Sequence, residues 1–417
     1  MSRPIFDNNW QKRKILHSNE YQHKAFEEVN ELIIKERQGK KIILIDDMEL
    51  TEFISCSYLG LDQDERVIRA SVNNIYKCGV TFPVARTRAI TQSFLILEEL
   101  LNKIFCNTHT ILFPSLHLVH LGLLPLLGSG EMPSFPIKDN GPLFILDKQV
   151  HASIQINRGL MEQFGDVVLV DFQSLEELGH YFELAASTKR CPIAIADSIG
   201  SMGGISPLGP LLEMAEDYNG YIYLDDAHGT SIFGIHGCGY VLEYLNHNLH
   251  PRFILTSSLA KGFGAIAGIV VLPTKQDADM VKQFASTYIF GGPPALSIID
   301  SAIASAHIHL SNEIYQLQTK LRENIAYFDS LQKNSINYQT ISPIRGILIG
   351  DEFRAIDHAL ALKKRGFAVT TAMYPSVTEG KSMLRIALSA AHTKMEIASL
   401  CENLKQILDS SVVSALC

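Results

Sequence analysis

The sequence predicts an α/β protein: a large domain with a mostly parallel seven-stranded sheet, plus a smaller C-terminal α/β domain. Three observations lead there. Seven short apolar runs recur between residues 110 and 273. Helical stretches separate them, which is the rhythm of strand–helix–strand units. Acids, histidines, serines and a lysine stand at the ends of several runs, where open parallel sheets bind their ligands.

Residues 1–50 read as an N-terminal arm, helical over "KAFEEVNELIIKERQGKK" and then a short strand, "IILID". The large domain is expected over 51–300. Its strand candidates are "TILFPS", "LFILD", "DVVLVD", "CPIAIAD", "GYIYLDD", "RFILTSS" and "AGIVVLP", each a run short enough for a buried strand. "SLEELGHYFELAAS" and "PLGPLLEMAEDYNG" read as helices between them. The most apolar stretch, 111–128, contains His117, His120 and Pro125 and reads as a buried helix packed on the sheet rather than a membrane span. The small domain is expected over 301–417. A long helix over 300–332 leads into it, "RGILIG", "GFAVTT" and "MLRIALSA" are its strands, and "KMEIASLCENLKQIL" closes it.

Composition narrows the class. With 417 residues, 47% hydrophobic and 19% charged, the chain can bury more than one core, as folded enzymes do. A net charge of -8 without a long Lys/Arg run argues against nucleic-acid or membrane-surface partners. Seven scattered cysteines without a CxxC read as reduced thiols in a cytoplasmic protein. His117 and His120 lie on one helical face without a third ligand, so core packing is read there and no metal.

"YLDDAHGTSIFG" (223–234) places Asp225, Asp226 and His228 directly behind an apolar strand. Buried acids are costly unless something cationic meets them. The next strand end, "TSSLAKGFG" (256–264), carries Lys261 among small residues, where desolvation can turn a lysine into a nucleophilic amine. Together these residues suit pyridoxal 5'-phosphate (PLP). Lys261 takes its aldehyde, Asp225 keeps its pyridine nitrogen protonated, and His228 reaches its phenolic oxygen. His151, in "DKQVHASI", can stack on the ring. Ser258 and Ser115, with the N–H groups of "PSLH" at a helix start, can take the phosphate.

"YIYLDDAHGTSIFGIHGCG", "TSSLAKGFGAIAGIVVL", "DKQVHASI", "SIGSMGGISPLGPLLEMAEDYNG" and "LRIALSAAHT" resemble the α-oxoamine synthase family, PLP enzymes with the aspartate-aminotransferase type of fold. The resemblance spans about residues 57–393. It implies that Lys261 is the Schiff-base lysine, Asp225 the pyridine partner and His151 the stacking histidine. It also implies that His228 and Ser201 contact the phenolic oxygen, that Ser258 binds phosphate, and that Arg385 holds the substrate α-carboxylate. Asp197 falls where relatives carry an acid. The implied reaction joins an amino acid to an acyl thioester, carried on CoA or a carrier protein, with loss of CO2. The implied assembly is a homodimer with its active site between subunits.

Four places depart from the family pattern. The phosphate loop reads Ser115, Leu116, His117, with Leu116 where many relatives have glycine and His117 offering a side chain. Cys56 replaces an asparagine. The segment 79–101 keeps Gly79, Arg86 and Glu98 but loses a glycine and a histidine, leaving Arg86 and Arg88 free to meet a substrate. Phe290 and Gly291 replace a Ser/Thr pair before Pro293. The competing readings are an aminotransferase or lyase acting on a small amino acid, and a non-catalytic subunit of the same fold.

Overall fold

The computed structural model describes residues 10–137 and 140–414. The chain divides into two compact units, Cys56–Leu321 and a second made of Met1–Ser55 with Arg322–Cys417.

The larger unit is built on seven strands: β4 (His109–Phe113), β5 (Pro142–Asp147), β6 (Asp166–Val170), β7 (Cys191–Asp197), β8 (Tyr221–Asp225), β9 (Phe253–Ser258) and β10 (Gly268–Leu272). Their order is β4-β10-β9-β8-β7-β5-β6, and only β10 runs antiparallel to its neighbours. Every apolar run read as a strand forms one. Both faces of the sheet are covered, and alternate side chains of a strand feed opposite cores. Ile222 and Leu224 of β8 pack on the face that also holds Phe253 and Leu296. Tyr221 and Tyr223 pack on the other, with Val119 and Leu123 of the helix Leu116–Gly128. That helix is only 13 residues long, and among the described residues no helix is long and apolar enough to cross a membrane.

The smaller unit contains β1 (Ile34–Gln38), β2 (Lys41–Leu44), β3 (Glu49–Glu52), β11 (Ile344–Gly350), β12 (Phe367–Ala368), β13 (Thr370–Ala372) and β14 (Ser382–Ala387). They form a β1-β2-β3-β12 sheet and a β11-β14-β13 sheet. The "AAHT" segment is a structural tie. His392 stacks on Phe53 at 4.0 Å, its Nε2 donates to the Glu52 carbonyl at 2.9 Å, and its Nδ1 accepts from Ser389 N–H.

Three expectations are corrected. Residues 1–50 are not a separate arm, because β3 pairs in parallel with β12 and so joins the C-terminal part. The expected helix over 24–41 ends at Glu28, and Ile34–Gln38 is a strand zipped to β2. The long helix is two, Leu296–His309 and Glu313–Leu331. The first buries Leu296, Ile299, Ala302 and Ala306 in the core of the large unit, which moves the boundary from 300 to 321.

Candidate active site

Site residues collect where β7, β8 and β9 end. The register sets Asp197, Asp225 and Thr256 side by side. Asp225 follows Tyr223 by two residues, so both face the helix Leu116–Gly128, which brings His120 to them. One carboxylate oxygen of Asp225 accepts from Ala227 N–H at 2.9 Å. The other lies 3.5 Å from Nε2 of the fully buried His120, whose Nδ1 is 2.8 Å from the Tyr223 hydroxyl. At 3.5 Å the His120–Asp225 contact is one of charge more than of a formed hydrogen bond, and among the described residues His120 Nε2 has no hydrogen-bond partner.

The electrostatics separate the two acids. Burial alone would raise the Asp225 carboxyl, but His120 and then the Lys261 charge hold it below its ordinary value. Asp197 is pushed well above its ordinary value, first by burial and then by the Asp225 charge. Its carboxylate accepts from His151 N–H at 3.3 Å. The two adjacent carboxyls are thus pushed apart, Asp225 downward toward the anion and Asp197 upward toward the protonated acid.

Around this pair, His151 caps a short helix, with Nδ1 2.7 Å from the Ser153 hydroxyl and accepting from Ser153 N–H, and its ring is exposed. Desolvation of the ring outweighs the pull of Asp225, and with Lys261, His120 and His117 nearby its imidazole sits below the ordinary value. His228 is buried, with Nδ1 2.7 Å from the hydroxyl of the fully buried Tyr58. Ser201 lies on the turn closed by Gly203 N–H to the Gly200 carbonyl. Ser258 ends β9, and its Oγ accepts from Ala260 N–H at 3.1 Å, shaping the turn that presents Lys261.

Two glycines explain the spacing around these groups. A Cβ on Gly262 would lie 3.0 Å from Ser231 Cβ, so the lysine loop packs directly on the loop that follows Asp226. A Cβ on Gly268 would lie 2.4 Å from Leu116 N, so β10 lies directly under the phosphate loop. Ser115 is the N-cap of the helix Leu116–Gly128, with Oγ accepting from Leu118 N–H at 3.4 Å. Leu116 is therefore an ordinary first helical residue, and its place needs no glycine. His117, one residue on, is exposed.

One expected substrate residue is held elsewhere. Arg86 is buried, donates to the Leu112 carbonyl at 2.6 Å and covers the Tyr288 ring at 3.8 Å, so its guanidinium braces β4. Arg385 lies in the other unit, on β14, opposite Gly346 and Thr370. His120, Tyr223 and Tyr58 were not among the residues read as the site. The two-residue step from Tyr223 to Asp225 was the available signal.

The aminotransferase class I and II model matches residues 170–404. The chain belongs to that family. The α-oxoamine synthase resemblance is also met. An 8-amino-7-oxononanoate synthase of Thermosipho melanesiensis is 28% identical over 371 residues, covering 88% of this chain and 90% of that protein. One from Marinomonas sp. is 29% identical over 388 residues, covering 89% of each. Among solved structures, a serine palmitoyltransferase from S. paucimobilis with bound PLP–myriocin superposes with a TM-score of 0.84 at 20% identity, over 99% of this chain and 100% of that one. An 8-amino-7-oxononanoate synthase from Francisella tularensis gives 0.71 at 21%, over 87% and 99%. The fold is the PLP-dependent aminotransferase type.

PLP is the family's cofactor, and the residues present fit it. Asp225 is an ionised, buried carboxylate with one oxygen short of a good donor, as a protonated ring nitrogen requires. Lys261 lies close enough to bear on the charge of Asp225, Asp197 and His151.

Proposed function

We propose that this chain joins an amino acid to an acyl thioester, releases CO2 and yields an α-aminoketone, with PLP as its cofactor. The observation that carries the reading is the buried Asp225 at the end of β8, beside Asp197 and 3.5 Å from His120 Nε2, within the electrostatic reach of Lys261. The names of the curated relatives support it.

When bound, PLP supplies an electron sink for a carbanion at the substrate Cα. Asp225 holds a proton at the ring nitrogen, and His120 keeps Asp225 ionised. Lys261 Nζ would hold the aldehyde of the cofactor, and it is the amine that would take the proton from the substrate Cα and give one back. His151 stacks on the ring. His228, oriented by Tyr58, and Ser201 bind the phenolic oxygen. Ser258, Ser115 and the backbone N–H groups of Leu116 and His117 bind the phosphate at a helix N-terminus. Arg385 takes the substrate α-carboxylate through a bidentate guanidinium contact.

A homodimer belongs to the same proposal. Tyr76, Val80 and Phe290 are 89%, 71% and 83% exposed, apolar side chains that a second copy of the chain would cover. A cytoplasmic location also belongs to it.

The test is the visible spectrum of the purified protein with each amino acid added in turn, followed by assays for thioester consumption and CO2. The expected result is a yellow protein whose band one amino acid perturbs, with CO2 released only when an acyl thioester is also present. Lys261→Ala should lose the band assigned to the lysine linkage and all turnover. Turnover without thioester consumption would make it an aminotransferase or lyase. A protein that stays colourless with added PLP would be a non-catalytic partner.

A further inference from the structure

Away from the strand ends, the large unit gathers a second set of ligating side chains. Cys238, Glu243 and His247 each offer one ligand atom, and these atoms lie within 4.8 Å of one another. His247 Nε2 and a Glu243 carboxylate oxygen are already 2.8 Å apart. Cys106, in the turn after the helix Gln92–Ile104, lies outside that group of three but has its thiol near enough to interact with that of Cys238. Gly234 makes the room, since a Cβ there would stand 2.5 Å from Cys238 Sγ and 3.2 Å from Glu243 Oε2. Nothing in the proposed reaction uses these residues.

We propose that Cys106, Cys238, Glu243 and His247 bind a structural divalent metal ion of the zinc class. Two thiolates, one imidazole and one carboxylate make a four-ligand tetrahedral set, whose ligand atoms sit about 3.5 Å apart around zinc. Glu243 and His247 are 47% and 43% exposed, so their side chains can close that distance by changing rotamer. Binding releases one proton from each thiol and leaves the imidazole neutral. The metal would tie the end of the helix Gln92–Ile104 to the segment that follows Asp226 and His228, and so brace the loop carrying two proposed cofactor ligands.

The test uses the reduced holoenzyme, treated with chelator and then offered zinc or cobalt(II). The expected result is about one ion retained per chain after dialysis, protection of two thiols from alkylation, and a thiolate-to-metal charge-transfer band with cobalt. Zinc should also raise the melting temperature in proportion to its occupancy. Glu243→Gln and His247→Gln, both at exposed positions, should weaken retention at least about tenfold while leaving the fold intact. Cys238→Ser should weaken the charge-transfer band, and Cys106→Ser with Cys238→Ser should abolish it. Absence of retained metal would overturn the proposal, as would equal retention by the exposed variants. Loss of both thiols in air without metal, reversed by dithiothreitol, would also overturn it and make the pair a disulfide.

Discussion

Asp225 and Asp226 are consecutive residues with opposite fates. Asp225 faces the helix Leu116–Gly128, meets His120, and is held ionised by it and by Lys261. Asp226 points to the other side of the sheet and is completely buried. Its carboxylate accepts from the Ser198 hydroxyl and from Val241 N–H at 3.4 Å, and burial pushes it up to about 7. Gly229 and Gly239 are the reason it fits, since a Cβ on either would fall within 2.1 to 2.2 Å of its carboxylate oxygens. The same side chain is thus drawn toward the anion where a histidine and a lysine stand near it, and pushed toward the protonated acid where a hydroxyl and backbone amides do.

The first way to break this comparison is at Asp225. Asp225→Ala should lower kcat/KM by about 10²–10³-fold, the scale of losing one preorganised electrostatic partner, and weaken PLP retention. Asp226→Asn should leave the cofactor spectrum in place. Equal loss of PLP in both variants would remove the distinction between the two acids.

The second is a pH profile of stability. Asp226 binds its proton more tightly folded, near 7, than unfolded, near 3.8. Its contribution is therefore fully present below pH 4 and is lost as pH rises through 7, with an upper bound of roughly 4 kcal/mol. His309 has the opposite sign. It is buried, with Nδ1 donating to the Ser305 carbonyl and Nε2 accepting from Ser231, and burial lowers it to about 4. Its contribution is present above pH 6.5 and is lost as pH falls through 4. The two partly cancel in the parent protein, so the informative quantity is the difference between it and Asp226→Asn. That difference should shift in favour of the variant as pH rises from 4 to 7. A flat difference would mean that Asp226 is ionised in the fold.

The third is steric. Gly229→Ala forces a methyl group onto Asp226 Oδ1 and should cost about 1–3 kcal/mol of unfolding free energy, read from denaturant melts. An unchanged melt would show that the loop yields instead.

These contrasts also show what was legible in the sequence. The seven strands were, because each is an uninterrupted apolar run with turn residues on both sides. Asp225, His228 and Lys261 could be singled out as candidates, because acids, histidines and lysines at strand ends need partners. The partners could not. Helical periodicity predicts that His120 is buried, but which strand it meets depends on the order β4-β10-β9-β8, which rests on β4 pairing with the sequence-distant β10. The strand Ile34–Gln38 was hidden because "IKERQ" is rich in helix-forming residues, and only its antiparallel pairing with β2 overrides that preference. Cys106 lies more than 130 residues from Cys238, and no spacing rule joins them.

The smallest expected effect is the sharpest test of how Asp225 is held. Tyr223 touches Asp225 only through His120, by the 2.8 Å contact with Nδ1. Tyr223→Phe leaves that buried nitrogen without its partner and should cost about 1 kcal/mol of stability. If Tyr223 acts by fixing the His120 tautomer and ring orientation, the variant should also weaken PLP binding by a few fold. His120→Gln should do so more strongly, and the double variant should do no worse than His120→Gln alone. Additive losses would mean that Tyr223 and His120 support the site separately, and the ionisation of Asp225 would then rest mainly on Lys261.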